Sequence, residues 1–380
     1  MPAIPTMKIR TVILLCLVFC LKAGAAENVF PRLFETAIRK DVPPEAFVYN
    51  WRDAVLMKSF IDIWRTDESR KRQVEEYILS AMTRLAPKAH GRHPNGIAAA
   101  AGFAFLKEAG LNTAETDAAL ERVLEHYRQI PRSGDGGCSH RPGRVELWDD
   151  TLYMLDIFLL QCYRATGDMA WVEEFADELL SHARHLRDSR TGLWYHGWSE
   201  SEKSYDDKCC QKGWNANPAR RNSEFWGRGN GWVAMSLADI LEVLPADDPR
   251  YPEILSMFRK MAARLARLQD RRTGMWRQLP ARRGDKENFP EASCTAMFGY
   301  ALAKGVACGV LPGRMLSSAK RALRGLEGNC VKEEDGRLFL DCICEGTCIG
   351  DRDYYYSRRR IAGETYATGA LLMLENLLNQ

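Results

Sequence analysis

VELWDDTLYMLDIFLL, residues 145–160, sets two adjacent carboxylates, Asp149 and Asp150, at the head of an almost wholly apolar run. A helix without a strongly polar face is buried on most sides, so the run reads as an interior helix. One Asp at its start is explained by capping and by the positive end of the helix dipole. The second needs a partner, an exposed position or a chemical role.

Five other segments share this character: WRDAVLMKSFIDIW from Trp51, NGIAAAAGFAFL from Asn95, GWVAMSLADILEVL from Gly231, EASCTAMFGYALAKGV from Glu291 and GETYATGALLMLENLL from Gly363. Between them lie charged, amphipathic segments at about 30–40, 69–85, 114–129, 169–187, 251–268 and 313–326, each with one stripe to pack inward. Six buried and six surface helices alternate strictly, and no convincing run of alternating strands is present. The expected fold is all-α, a single-domain (α/α)6 barrel of six inner helices ringed by six outer ones. An open α-solenoid, the alternative, would carry many regular short repeats.

Connections from inner to outer helices are short, whereas those at 86–94, 130–148, 188–226, 269–290 and 327–360 are long. All the long ones precede inner helices, so they gather at one end of the barrel, where function is expected. A weak internal repeat, DSRTGLWYHGW from Asp188 and DRRTGMWRQL from Asp270, closes two outer helices in the same way.

The first residues follow another logic. Lys8 and Arg10 precede the short apolar run TVILLCLVFCL, and AGAA follows at 23–26, the pattern of an export signal cut near Ala25 or Ala26. Residues 1–25 are therefore expected to be a signal peptide, and 26–380 the catalytic domain of an exported protein, periplasmic or secreted. The remaining chain of about 355 residues suffices for one large domain. The whole chain has 53 basic and 50 acidic residues, and Lys8, Arg10 and Lys22 belong to the signal, so the rest is close to neutral. That argues against a general nucleic-acid or membrane surface. In CICEGTC at 342–348 no His lies close by, and an oxidising compartment favours disulfides over zinc. A disulfide is expected between the loop at 188–226 (Cys209, Cys210) and that at 327–360 (Cys330, Cys342, Cys344, Cys348).

The long loops hold His140, Trp148, Asp149 and Asp150; Trp194, Tyr195, His196 and Trp198; Trp226, Arg228, Asn230 and Trp232; and Glu291 with Ser293. Clustered Trp with carboxylates, His and Arg is the composition of a carbohydrate site, flat rings for sugar faces and polar groups for orientation. Glu291 is equally well explained as a helix cap. GRGNG at 227–231 follows no parallel strand, so a nucleotide is not expected there. No G-x-S-x-G elbow is present.

In the segments ELWDDTLYM, GLWYHGWSE, FWGRGNGWVAM, EASCTAMFGYALAKGV and GTCIGDRDYYYSRR, in that order from about Trp51 to the C-terminus, the sequence resembles the unsaturated rhamnogalacturonyl hydrolases of glycoside hydrolase family 105, related to the unsaturated glucuronyl hydrolases of family 88. The resemblance implies the same (α/α)6 barrel. It also implies removal of a 4,5-unsaturated uronyl residue from the non-reducing end of lyase-generated acidic oligosaccharides, by hydration of the C4=C5 enol ether. Asp150 occupies the family's acid position, with a pKa expected to be raised by burial and by substrate charge. Asp149 is left to cap the helix or hold a neighbour. His140, His196, Arg228 and Trp232 fall on family binding positions, with Trp198 and Trp226 nearby; Arg228 suits a uronate carboxylate. No metal or organic cofactor is implied.

The sequence departs from the family before the second inner helix, where many members carry a further pocket Asp. Here no acid lies between Glu76 and Glu108, and His90, Arg92 or His93 takes that space. Two other readings stay open: an inverting glycosidase using Asp150 with Glu291, and a glycan-binding protein without turnover.

Overall fold

The computed structural model describes residues 29–203 and 209–380. The expected signal peptide lies outside the described residues.

The inner helices are α2 (Trp51–Thr66), α4 (Pro94–Ala99) continued by α5 (Ala101–Glu108), α7 (Asp149–Thr166), α9 (Gly227–Val243), α11 (Ala292–Ala307) and α14 (Thr365–Leu378). The outer ones are α1 (Val29–Thr36, extended by a π turn to Asp41), α3 (Lys71–Leu85), α6 (Ala114–Arg128), α8 (Ala170–Leu186), α10 (Tyr251–Leu268) and α12 (Leu316–Asn329). Each inner helix packs on the next: α2 on α4 and α5, these on α7, then α9, α11 and α14, which returns to α2 and closes the ring. Gly369 makes that closure possible. A Cβ there would stand 2.7 Å from the Val55 carbonyl oxygen and 2.9 Å from Leu56 Cα, closer than a side chain tolerates. The fold is the helical barrel expected, in one domain.

The driving force is ordinary. Phe60, Leu155, Phe158, Leu237, Phe298 and Leu371, from five inner helices, are fully buried. Each contributes roughly 1.5–3 kcal/mol relative to exposure. The outer helices cover this core with one stripe each, as at Val74, Ile78, Ala81 and Met82 of α3.

Two features differ from expectation. The second inner helix is broken at Ala100, whose N–H bonds back to Ile97 in a tighter i→i−3 step. Among the described residues three two-stranded ribbons are also present: β1 (Glu146–Trp148) with β2 (Gly197–Ser199), β3 (Val331–Glu334) with β4 (Arg337–Leu340), and β5 (Ile343–Cys344) with β6 (Arg360–Ile361). At two to four residues each, they are too short to show a period of two. The β3–β4 hairpin did carry a signal, Asp335-Gly336, with φ of 50° and 69° as a tight hairpin turn requires.

The loops at 188–226 and 327–360 do meet, but not through a covalent bond, since Cys330, Cys342, Cys344 and Cys348 are all thiols. Cys348 lies beside Cys210 across the two loops, and Cys330 beside Cys342 within its own. Polar contacts carry the tie: Gln211 donates to Asp351 at 2.9 Å and accepts from its backbone N–H at 2.7 Å.

Candidate active site

The β1–β2 ribbon decides the site. It pairs Trp148 with Gly197, and Asp149 N–H donates to the His196 carbonyl at 2.9 Å. His196, distant in sequence, is thereby set beside the start of α7. Its Nε2 lies 2.8 Å from Asp150 Oδ2, and its Nδ1 lies 2.8 Å from the Tyr355 hydroxyl. Tyr355 comes from a short helix, α13 (Arg352–Tyr356). Its hydroxyl oxygen already accepts from Asn222 Nδ2 at 3.4 Å and from Gly350 N–H at 3.5 Å. Its own proton is then directed at His196 Nδ1, which leaves Nε2–H to donate to Asp150. Trp226 stacks flat on His196 with ring centroids 4.5 Å apart.

Asp150 is partly exposed, its side chain 20% accessible; Asp149 is fully enclosed. The expected cap is absent: Trp148 is the N-cap of α7, without a side-chain cap bond, and apart from the adjacent Asp150 neither Asp149 oxygen has a hydrogen-bond partner. The two carboxyls also titrate oppositely. Burial pushes Asp150 up, but the contact with His196 outweighs it and holds the group at about 2. Burial, reinforced by the Asp150 charge, holds Asp149 well above the usual carboxylate range. The raised acid expected at Asp150 is therefore found one residue earlier.

His140 is buried, stacked on Trp148 at 4.4 Å, with Nδ1 3.0 Å from the Thr151 hydroxyl. His93 meets it edge-on at 4.7 Å. Burial and then His93 keep His140 far below the usual histidine range, and burial with Arg141 lowers His93 to about 4, so both are neutral. His93 is also the N-cap of α4, accepting from Asn95 N–H at 3.1 Å. Of the three residues offered for the space before the second inner helix, this is the one set against the His140 ring.

Arg228 does not present its fork to a ligand. It is 1% exposed and donates to the carbonyls of Cys344 at 2.7 Å and Glu345 at 2.8 Å. Its guanidinium lies over Trp226 at 4.2 Å and Tyr366 at 4.8 Å. The expected bidentate grip on a uronate is replaced by a grip on the C-terminal loop. Trp226 and Trp232 are buried too; Trp232 stacks on Tyr153 at 5.0 Å and forms the floor beneath Trp51. Trp198 packs instead on His185 of the outer helix α8, at 3.9 Å, and under Arg220. Glu291 is the cap of α11, accepting from the N–H groups of Ser293, Cys294 and Cys344 at 3.1, 2.7 and 3.0 Å.

Two residues complete the cluster that sequence reasoning passed over. Tyr355 lay inside a quoted motif, but nothing local tied it to His196. Trp51, at the start of α2, is partly exposed beside Trp232 and Tyr366. Among the described residues, Asp149, Asp150 and His196 form the one group whose potential metal-ligating atoms lie within 4.8 Å of one another. His196 Nε2 already points at Asp150 and Asp149 is sealed in, so the set closes on itself rather than around an ion. A surface groove of about 510 Å³ between outer elements is lined by Arg132, Asp135, Glu174 and Arg184. Those charges pair with one another, Arg132 with Glu174 and Arg184 with Asp135, each at 3.1 Å, and the chemistry lies elsewhere.

Known proteins share this architecture. A C. acetobutylicum glycoside hydrolase from family 105 superposes with a TM-score of 0.79 at 22% identity, covering 93% of this chain and 99% of that one. The unsaturated glucuronyl hydrolase of Bacillus sp. GL1 does so with a TM-score of 0.63 at 15% identity, over 92% and 94%. At such identities the likeness concerns the fold. In sequence, the unsaturated rhamnogalacturonyl hydrolase YesR of Bacillus subtilis is 24% identical over 332 residues, 85% of each chain. The profile of Glycosyl Hydrolase Family 88 matches residues 26–376. The chain belongs to Glycosyl Hydrolase Family 88 and is a glycoside hydrolase.

Proposed function

We propose that this enzyme removes a 4,5-unsaturated uronyl residue from the non-reducing end of lyase-generated acidic oligosaccharides, with Asp150 as the proton donor. The observation that carries this reading is the partly exposed Asp150 carboxyl, fixed at 2.8 Å by a histidine that Tyr355 and Trp226 hold in place. Family membership and the unsaturated uronyl specificity in the names of two similar enzymes support the substrate class.

Asp150 donates a proton to C4 of the enol ether, and positive charge develops at C5, shared with the ring oxygen. Water adds at C5 and returns a proton to the site. The resulting hemiketal opens, and the bond to the leaving sugar falls apart. One carboxyl serves first as acid and then as base. A saturated glycoside would need a second carboxyl across the bond. Glu291, the partner considered for that role, is fully engaged by the cap of α11 and by Cys344.

The test is loss of enol-ether absorbance when enzyme meets defined unsaturated disaccharides. Turnover of saturated glycosides alone would refute the reading. We assign no metal or organic cofactor, and activity lost in EDTA and restored by a divalent ion overturns that part. His140 belongs to the pocket lining in this reading, while Trp226, Arg228 and Trp232 support it from below. Export, inferred from the N-terminal pattern, is checked by sequencing the mature N-terminus.

A further inference from the structure

We propose that Asp149 and Asp150 work as one proton-sharing carboxyl pair, in which Asp149 is the resting place of the proton that Asp150 delivers. The kinetic consequence rests on the reading above; the location of the proton does not.

The geometry is unusual for a buried carboxylate. Asp149 is fully enclosed, and apart from the adjacent Asp150 neither oxygen has a hydrogen-bond partner. An ionised carboxylate left so would be severely destabilised. It is pressed against the backbone of α9: a Cβ on Gly229 would stand 2.2 Å from Oδ2 and 2.6 Å from Oδ1. The groups that face it are few. Asp150 comes from its own helix, His196 Nε2 stands 3.9 Å from Oδ1, and Arg228 of α9 and Tyr355 of α13 exert weaker influence. Arg228 is turned to the carbonyls of Cys344 and Glu345, so no cation neutralises Asp149 directly. Two like charges this close, one of them sealed from water, disfavour each other strongly, and the pair keeps one proton. The His196 N–H faces Asp150 and favours the negative charge there, so the proton resides on Asp149.

This arrangement answers a difficulty of the mechanism. A carboxyl held at about 2 is protonated in on the order of one molecule in 10⁵ at pH 7. Asp150 alone would seldom have a proton to give. With Asp149 beside it, Asp150 takes up the proton held on Asp149 and passes it to C4, leaving both carboxyls briefly without one. The water that adds at C5 releases a proton, which passes through Asp150 back to Asp149, and nothing is consumed. Asp149 touches no substrate and is a positioning residue.

The proton is located by infrared difference spectroscopy of the full chain at neutral pH. Wild type minus Asp149→Asn should show one carbonyl stretch of a neutral carboxylic acid; its absence overturns the proposal, whatever the substrate is. On an unsaturated disaccharide, Asp149→Asn should lower kcat at least tenfold at pH 7 with KM within twofold. The basic limb of its pH profile should move at least one unit toward acid. Asp149→Ser, a smaller side chain, is read the same way should the Asn variant misfold. A pH profile superimposable on that of wild type contradicts the pair. A protein with the infrared band but no turnover of any unsaturated substrate keeps the pair and refutes the functional reading instead.

Discussion

His196 Nε2 donates to Asp150 Oδ2 across 2.8 Å, joining the residue before β2 to a helix N-terminus 46 positions away. That one contact gives Asp150 its low proton affinity and fixes the direction in which the carboxyl faces. The histidine is itself held from behind by Tyr355 and from below by Trp226.

Tyr355→Phe removes the hydroxyl that orients His196 and leaves the stacked rings in place. The loss of one buried hydrogen bond corresponds to about 1 kcal/mol, roughly five- to tenfold in rate. Steady-state kinetics should show that fall in kcat with KM unchanged. An unaltered kcat would mean that the imidazole is oriented by its other neighbours.

Arg228→Gln tests whether this guanidinium holds the chain or the substrate. The carbonyls of Cys344 and Glu345 lose the guanidinium and keep only the hydroxyls of Tyr366 and Thr347. The expected destabilisation is about 2–4 kcal/mol, read as a lower melting temperature and as faster amide exchange at residues 343–345. A large rise in KM at unchanged stability would restore Arg228 as the uronate reader.

Gly229→Ala places a methyl group 2.2 Å from Asp149 Oδ2, so the carboxyl or the α7–α9 contact must shift. Overpacking of this kind costs roughly 1–3 kcal/mol. Since Asp149 is the part displaced, kcat should fall more than stability predicts, about tenfold or more. Full activity in a stable variant would show that Asp149 has room that the structure denies it.

The pH dependence of stability has a definite sign at Glu375 of α14. Burial, with Glu327 adding to it, raises its carboxyl from 4.5 to about 8. The folded chain therefore holds a proton that the unfolded chain releases above about 4.5. This contribution is fully present below 4.5 and is lost as pH rises through 8. Melting curves between pH 5 and 8 should flatten in Glu375→Gln relative to wild type. Equal slopes would place Glu375 in contact with water.

The barrel was legible because its signal is long. Six apolar-all-round segments alternating with six amphipathic ones leave few other architectures, and the long loops before inner helices place the site at one end. The site was legible only as composition. Asp150, His140 and His196 come together as their segments suggested, whereas Trp198 turns to an outer helix and Arg228 turns to backbone carbonyls. Nothing in GRGNG announces that its arginine will meet the chain's own loop, since that partner lies more than a hundred residues away. The division of the proton between the two acids was hidden for a similar reason. Adjacent Asp residues look alike in sequence, and the difference between them arises from His196 reaching one and Gly229 enclosing the other.

Asp150 as proton donor to an unsaturated uronyl residue is tested most directly by turnover of a lyase-generated unsaturated uronyl disaccharide by wild type and by Asp150→Asn, followed as loss of enol-ether absorbance. Wild type should consume the chromophore and release the leaving sugar. Asp150→Asn should be slower by on the order of 10²–10⁴, with its fold and substrate binding retained. An Asp150→Asn variant that consumes the chromophore at the wild-type rate, or a wild-type enzyme that cleaves only saturated glycosides, would contradict it.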